Sequence, residues 1–285
     1  MDDLGLFGPD SVTWRVHAEP ILFVGGLRSL YLQALHPRAM AGVAQNSRYK
    51  EDPWGRLMRT SIYVATAVYG TTAEAEAAGR RLRAIHARMR ARDPFTGEEF
   101  RIDEPELLRW VHVTEVDSFI TTARRSGVPL SPADVDAYLD EQRRVAALVG
   151  LDPASVPGSA AEVEGYYREM RPRLRLTRDG AEALVFLTAP PTPGTLNPAV
   201  RAALELGGPR LAYLGVASTA LGLLPSWARR LYGGLGLPTS DLAATLSVRA
   251  IRAALAAVPR RYVEGPIYQG AMARAARAAA TPATA

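Results

Sequence analysis

The sequence predicts an all-α fold organised as one helical domain. Three observations carry that reading. Alanine, leucine and arginine dominate the chain. Apolar residues recur every third or fourth position in several stretches, and the strict alternation of half-buried strands is nearly absent. At 285 residues the chain sits near the upper size for a single hydrophobic core.

The elements follow in order. Residues 1–12 read as a flexible tail ahead of a domain spanning 13–268. Asp52-Pro53 starts a helix by placing proline near its first position. Thr71-Thr72-Ala73-Glu74 fits a capping box, opening a helix that carries "RRLRAIHARMR", Arg80 to Arg90. In "DPFTGEEFRID", Asp93 to Asp103, a proline and a Thr-Gly turn lie between short apolar ends, so one short hairpin is expected near 95–102. Glu104-Pro105 and Ser131-Pro132 repeat the proline device. A further helix is predicted over "AAEVEGYYREMRPRL" beyond Gly150. The proline-rich "TAPPTPGTLNP", Thr188 to Pro198, then interrupts the chain as a structured connection or a lid. "LAYLGVASTALGLLP", Leu211 to Pro225, is shorter than the roughly twenty residues a membrane-spanning helix needs; it reads as a buried helix, and no stable membrane insertion is expected. "GGLGLP" is a turn, and 269–285 is a tail with little to pack against.

The net charge of +5 comes from arginine, since Lys50 is the sole lysine. The arginines are scattered, which argues against a nucleic-acid-binding patch. The absence of cysteine removes disulfides, cysteine-based zinc sites, iron–sulfur ligation and a thiolate haem ligand. The N-terminal stretch lacks the basic and apolar regions of a secretion signal, so a cytoplasmic location is expected.

All four histidines, His17, His36, His86 and His112, lie within the first 112 residues. On a helical wheel after Asp52, Arg56, Arg59, Thr60 and Tyr63 fall within one sector of about 100°, with Trp54, Leu57, Met58, Ile62, Ala65 and Val68 opposite. That polar stripe is either solvated or functional. On the next helix His86 shares a predicted buried stripe with Ala75, Gly79, Leu82 and Met89, whose small members leave room for something flat or for a second helix. His112 lies on a third buried stripe, with Glu115 one turn on. It is either a core histidine hydrogen-bonded to Glu115 or a ligand. No Glu-x-x-His, His-Glu-x-x-His, Gly-x-Ser-x-Gly or Walker loop occurs. A buried imidazole, a neighbouring helix with two arginines and a threonine, and apolar lining are the parts of a b-type haem site, and each is also common in a structural core.

The order of motifs supplies a further observation. "EPILFVGGLRSLYLQALHPRAMAGVAQNSRYKEDPWGRLMRT", "IHARMR", "LLRWVHVTEVDS" and "LGLLPSWARRLYGG" together resemble the oxygenase family of latex clearing protein and the fungal mycophenolic-acid-pathway oxygenase. The likeness runs from about Trp14 to Tyr262. It implies an all-helical domain with a pocket for haem b between helices, using dioxygen on an apolar or terpenoid-like small molecule. By the same resemblance, Arg56, Arg59 and Thr60 form the distal and propionate side, and His86 ligates the iron. Independently of the resemblance, Glu115 is the candidate acid to orient the ligating imidazole, and His36, just before the helix-interrupting Pro37, is expected near the site. His112 is the alternative ligand. In this sequence Arg59 stands where the rubber oxygenases carry lysine. Two other readings stay open: a haem peroxidase, peroxygenase or hydroxylase on the same scaffold, and a non-enzymatic haem- or lipid-binding helical protein.

Overall fold

A computed structural model describes residues 2–192 and 207–280. Helix α1 (Val12–His17) begins where the Ser11 hydroxyl accepts from the Trp14 N–H. Helix α2 (Leu22–Gln33) follows, then α3 (Pro37–Asn46), capped by His36. Helix α4 (Pro53–Tyr69) is capped by Asp52, with Pro53 in its first turn. Helix α5 (Thr72–His86) opens with the expected Thr71–Glu74 capping box. Strands β1 (Arg90–Arg92) and β2 (Glu99–Arg101) pair antiparallel, Ala91 opposite Phe100. Helix α6 (Pro105–Arg125) is followed by α7 (Pro132–Val149), which stops at Gly150, in the left-handed conformation at φ 95°. Helices α8 (Ala160–Met170), α9 (Arg178–Thr188), α10 (Gly208–Gly222), α11 (Ser226–Leu231), α12 (Pro238–Ala256), α13 (Arg260–Val263) and α14 (Pro266–Ala280) complete the described chain. The fold is all-α with one small hairpin.

The centre of the molecule is the α2–α6 pair. Leu27, Tyr31 and Leu32 of α2 interlock with Trp110, Val113, Val116 and Ile120 of α6 in the main core. Gly25 lets the helices approach: a Cβ there would lie 3.1 Å from the Ser118 carbonyl oxygen and from the Phe119 ring. The same interface buries a charge. Arg28 donates to Asp117 at 2.9 Å, to the Ser118 hydroxyl at 2.7 Å and to the Leu223 carbonyl at 3.1 Å, and Tyr167 donates to the same Asp117 oxygen at 2.9 Å.

Four expectations change. Helix α5 ends at His86 instead of running to Arg90, because Arg90–Arg92 is recruited into the hairpin. Asn46 donates to the Arg90 carbonyl, and Gln45 bonds both the N–H and the carbonyl of Arg92. The stretch Leu211 to Pro225 is only partly buried: Ala217, Ala220, Leu223 and Leu224 pack inside while Leu211 is exposed. The N-terminal tail is docked, with Leu6 and Phe7 against Ala67, Ala75, Val145 and Leu148, and the Leu6 carbonyl accepting from Arg144. The C-terminal tail forms α14, whose Ala271 is buried against Trp14, Val68 and Tyr69; residues 281–285 lie outside the described residues. So does most of the Thr188–Pro198 connection, from 193 onward.

Candidate functional site

Helix α4 is firmly seated only over its second half. Ala67, Val68 and Tyr69 are buried, the Trp14 indole donates to the Val68 carbonyl at 3.1 Å, and the Tyr69 hydroxyl donates to the Trp14 carbonyl at 3.0 Å. Over the first half the two sides of the wheel are not cleanly separated, and Arg59 and Thr60 of the polar stripe are exposed. Met58 is 61% and Ile62 50% exposed, whereas Arg56 and Tyr63 from the polar stripe are half-buried. An apolar surface in water beside a polar surface turned inward opposes the usual arrangement of a surface helix.

The inward groups lack partners. The Tyr63 hydroxyl is buried with no hydrogen bond among the described residues. Burial and the Glu115 carboxylate push the phenol up to about 12, against the opposing charge of Arg83. Burial lowers the Arg56 guanidinium below the usual arginine range, and it too has no hydrogen-bond or ion-pair partner among the described residues. Buried polar groups are ordinarily satisfied, so the Tyr63 hydroxyl stands out as one that is not.

Helix α6 reaches this region through Glu115, whose charge acts on Tyr63. His112 is 7% exposed and burial pulls its imidazole down to about 4, so it is neutral at physiological pH. Burial pushes the Glu115 carboxyl up to about 7. The hydrogen bond that could join these two residues does not form, and neither has another partner among the described residues.

His86 ends α5, half-buried, its pKa lowered by burial and partly restored by Asp103. Its imidazole also has no partner among the described residues. The small residues upstream do not leave a gap. They close on α7, where a Cβ on Gly79 would lie 2.8 Å from the Leu148 carbonyl oxygen, and Arg83 donates to that oxygen at 2.6 Å. The charge of Arg83, one turn before His86, reaches Tyr63, which links the end of α5 to α4 and, through Glu115, to α6.

Three expected site residues are otherwise engaged. Arg59 pairs with Asp52 at 3.1 Å on the surface. Thr60 is exposed and donates to the Arg56 carbonyl at 3.1 Å. His36 caps α3, its Nδ1 accepting from the Ala39 N–H at 3.3 Å, with its ring 6.0 Å from that of Trp110 and its Nε2 3.8 Å from a Glu106 oxygen. Two groups were missed by sequence reasoning. Tyr63 shared the polar sector with the arginines, and that position was its only signal. His17 lies at the end of a six-residue helix, too short for periodicity to show its burial. Its Nε2 is 3.1 Å from the Tyr138 hydroxyl, and burial depresses it to about 3.

At the outer end of α4, Tyr213 of α10 stands 5.6 Å from Trp54 and 6.5 Å from Phe23, ring centre to ring centre. Trp54 donates to the Pro191 carbonyl at 3.3 Å, beside a cleft of about 280 Å³ lined by Lys50, Asp52, Trp54 and Pro191.

No group of three or more His, Asp or Glu side chains able to hold a bare metal ion exists among the described residues. The unpartnered set does fit haem b, which needs one neutral imidazole from the protein and brings two carboxylates to a guanidinium. No described helix is long and apolar enough to cross a membrane.

Comparison with the curated proteins and with the solved structures returns no match. The family model described as the catalytic domain of ER-bound oxygenase mpaB/B′ and rubber oxygenase matches residues 14–257. That span takes in the whole α4–α6 region, and the chain belongs to this family of oxygenases and is an oxidoreductase.

Proposed function

We propose that the chain is a haem b-dependent oxygenase of an apolar or terpenoid-like small molecule, with His86 as the iron ligand. The observation that carries this is a set of unpartnered groups: the Tyr63 hydroxyl of α4 is buried without a hydrogen bond and within electrostatic reach of Glu115 on α6, and Arg56, His112 and Glu115 have no hydrogen-bond or ion-pair partner among the described residues. A group that offers carboxylates, a flat apolar surface and a metal in need of a neutral imidazole satisfies such a set at one stroke. Bound haem b supplies the activation of dioxygen that the side chains cannot perform themselves.

The residues have separable tasks in this reading. Burial keeps the His86 imidazole unprotonated at neutral pH, so a nitrogen lone pair is free for the iron. Arg56, desolvated and always charged, neutralises a propionate. Glu115, at about 7, holds a proton near neutrality and can release it to a reacting oxygen or take it back. Tyr63 keeps its proton and donates a hydrogen bond. Trp54, Phe23 and Tyr213 line an approach suited to an apolar molecule and limit the entry of water.

The greater burial of His112 favours a second assignment in which it is the ligand. The purified chain should show a Soret band with haem bound one to one. His86→Ala should lose it, with the variant folded by circular dichroism, and His112→Ala should retain it. Loss in His112→Ala alone moves the ligand to α6. A parent chain that never retains haemin overturns the haem reading.

A further inference from the structure

Helix α12 presents two apolar faces. Ala244 and Val248 are buried in the main core, with Ile251 and Leu255 packed beside them. On the other side Leu242 is 62% and Leu246 57% exposed, and Leu235, in the loop leading into the helix, is 81% exposed. At 100° per residue Leu242, Leu246, Arg249 and Ala253 fall within one narrow stripe. Exposed Tyr262 and half-exposed Leu237 extend it beyond both ends of the helix. Isolated exposed leucines are ordinary, but a run of this length marks a surface that meets something.

Charge identifies what it meets. Residues 207–263 hold seven arginines and one acid, Asp241, so this part carries more positive charge than the net +5 of the chain. Asp241 is occupied by Arg229 at 2.9 Å. Arg230, Arg249 and Arg261 have no acidic partner among the described residues; Arg249 reaches only the Arg125 carbonyl, and Arg261 lies over the Tyr262 ring. A second copy of the chain would bring arginine against arginine. An anionic bilayer surface complements both properties, accepting leucines below the headgroups and arginines among them.

From this juxtaposition we infer that α12, with the loop before it and α13 after it, docks the protein on an anionic lipid surface, lying flat along it. The helix of 19 residues would run about 28 Å parallel to the membrane. This is peripheral contact, in keeping with the absence of a spanning helix among the described residues, and it stands apart from the haem reading because none of these residues belongs to the α4–α6 site.

The test is co-sedimentation of the full chain with vesicles of phosphatidylcholine alone and of phosphatidylcholine mixed with phosphatidylserine. The protein should pellet with the anionic vesicles only, and release should follow added salt. The double substitution Leu242→Ser with Leu246→Ser, and separately Arg249→Glu with Arg261→Glu, should each weaken partitioning at least tenfold while circular dichroism and the absorption spectrum stay as in the parent. The inference is overturned by equal binding to both vesicle types, by no binding, by variants that bind like the parent, or by a dimer in sedimentation equilibrium that the leucine variant dissolves.

Discussion

A buried carboxyl without a partner binds protons differently in the folded and unfolded chain, and Glu115 is such a group. Its folded pKa of about 7 lies above the ordinary 4.5. The stability it contributes is therefore full below 4.5 and is lost as pH rises through about 7. His112 has the opposite sign. With its folded pKa near 4 against 6.5, its contribution is present above 6.5 and is lost as pH falls through 4. The two contributions offset each other between about pH 4.5 and 6.5 in the parent, so in urea titrations of the haem-free protein Glu115→Gln should gain stability relative to the parent as pH rises from about 4.5 to about 7, by about 3 kcal/mol. A Glu115→Gln variant whose stability runs parallel to the parent's across that window would show that the carboxyl is solvated. Neither property was legible in the sequence. The spacing of His112 and Glu115 placed them one turn apart on a buried stripe, and only packing decides whether such a pair bonds to each other or faces a common space.

Among the elements, α6 was the easiest to anticipate and α4 the hardest. Pro105 and the periodic apolar residues of "LLRWVHVTEVDS" locate α6, but nothing local reveals that Asp117 on its reverse side receives Arg28 from α2. That ion pair is nearly dry, with the Arg28 side chain 4% exposed, so removing one partner strands a buried charge. Asp117→Ala should destabilise the fold by about 3–5 kcal/mol, read as a lower urea midpoint with an unchanged slope. A loss below about 1 kcal/mol, the value of a solvated surface pair, would mean that water reaches Arg28. For α4 the wheel divides polar from apolar residues and leaves open whether the polar stripe is solvated or functional; in the fold the stripe is split, Arg56 and Tyr63 half-buried and Arg59 and Thr60 exposed, because burial preference alone cannot say which members of a stripe turn inward. The end of α5 at His86 was missed for a similar reason. The hairpin that claims Arg90–Arg92 is fixed by Gln45 and Asn46, more than forty residues earlier in sequence.

For the molecule as a whole, a ligand that binds only the folded chain raises its stability in proportion to the logarithm of its free concentration over Kd. That is about 2.7 kcal/mol at a hundredfold excess, or several degrees in Tm for a chain of this size. Haemin should raise the unfolding temperature of the parent by that amount and leave His86→Ala unmoved; an equal rise in both would indicate adsorption to apolar surface instead of a specific site. The mixed first half of α4 also bears on how this protein can be improved. Sequence and fold disagree locally there, and such frustration marks a place where function outweighed packing. Replacing Arg56 by leucine, Tyr63 by phenylalanine, or Met58 and Ile62 by polar residues would relieve the conflict in the empty chain. On the proposed haem reading, selection for thermal robustness without cofactor rewards the very changes that would erase the binding site, and directed evolution of this scaffold would keep its activity only when the loaded form is what is screened.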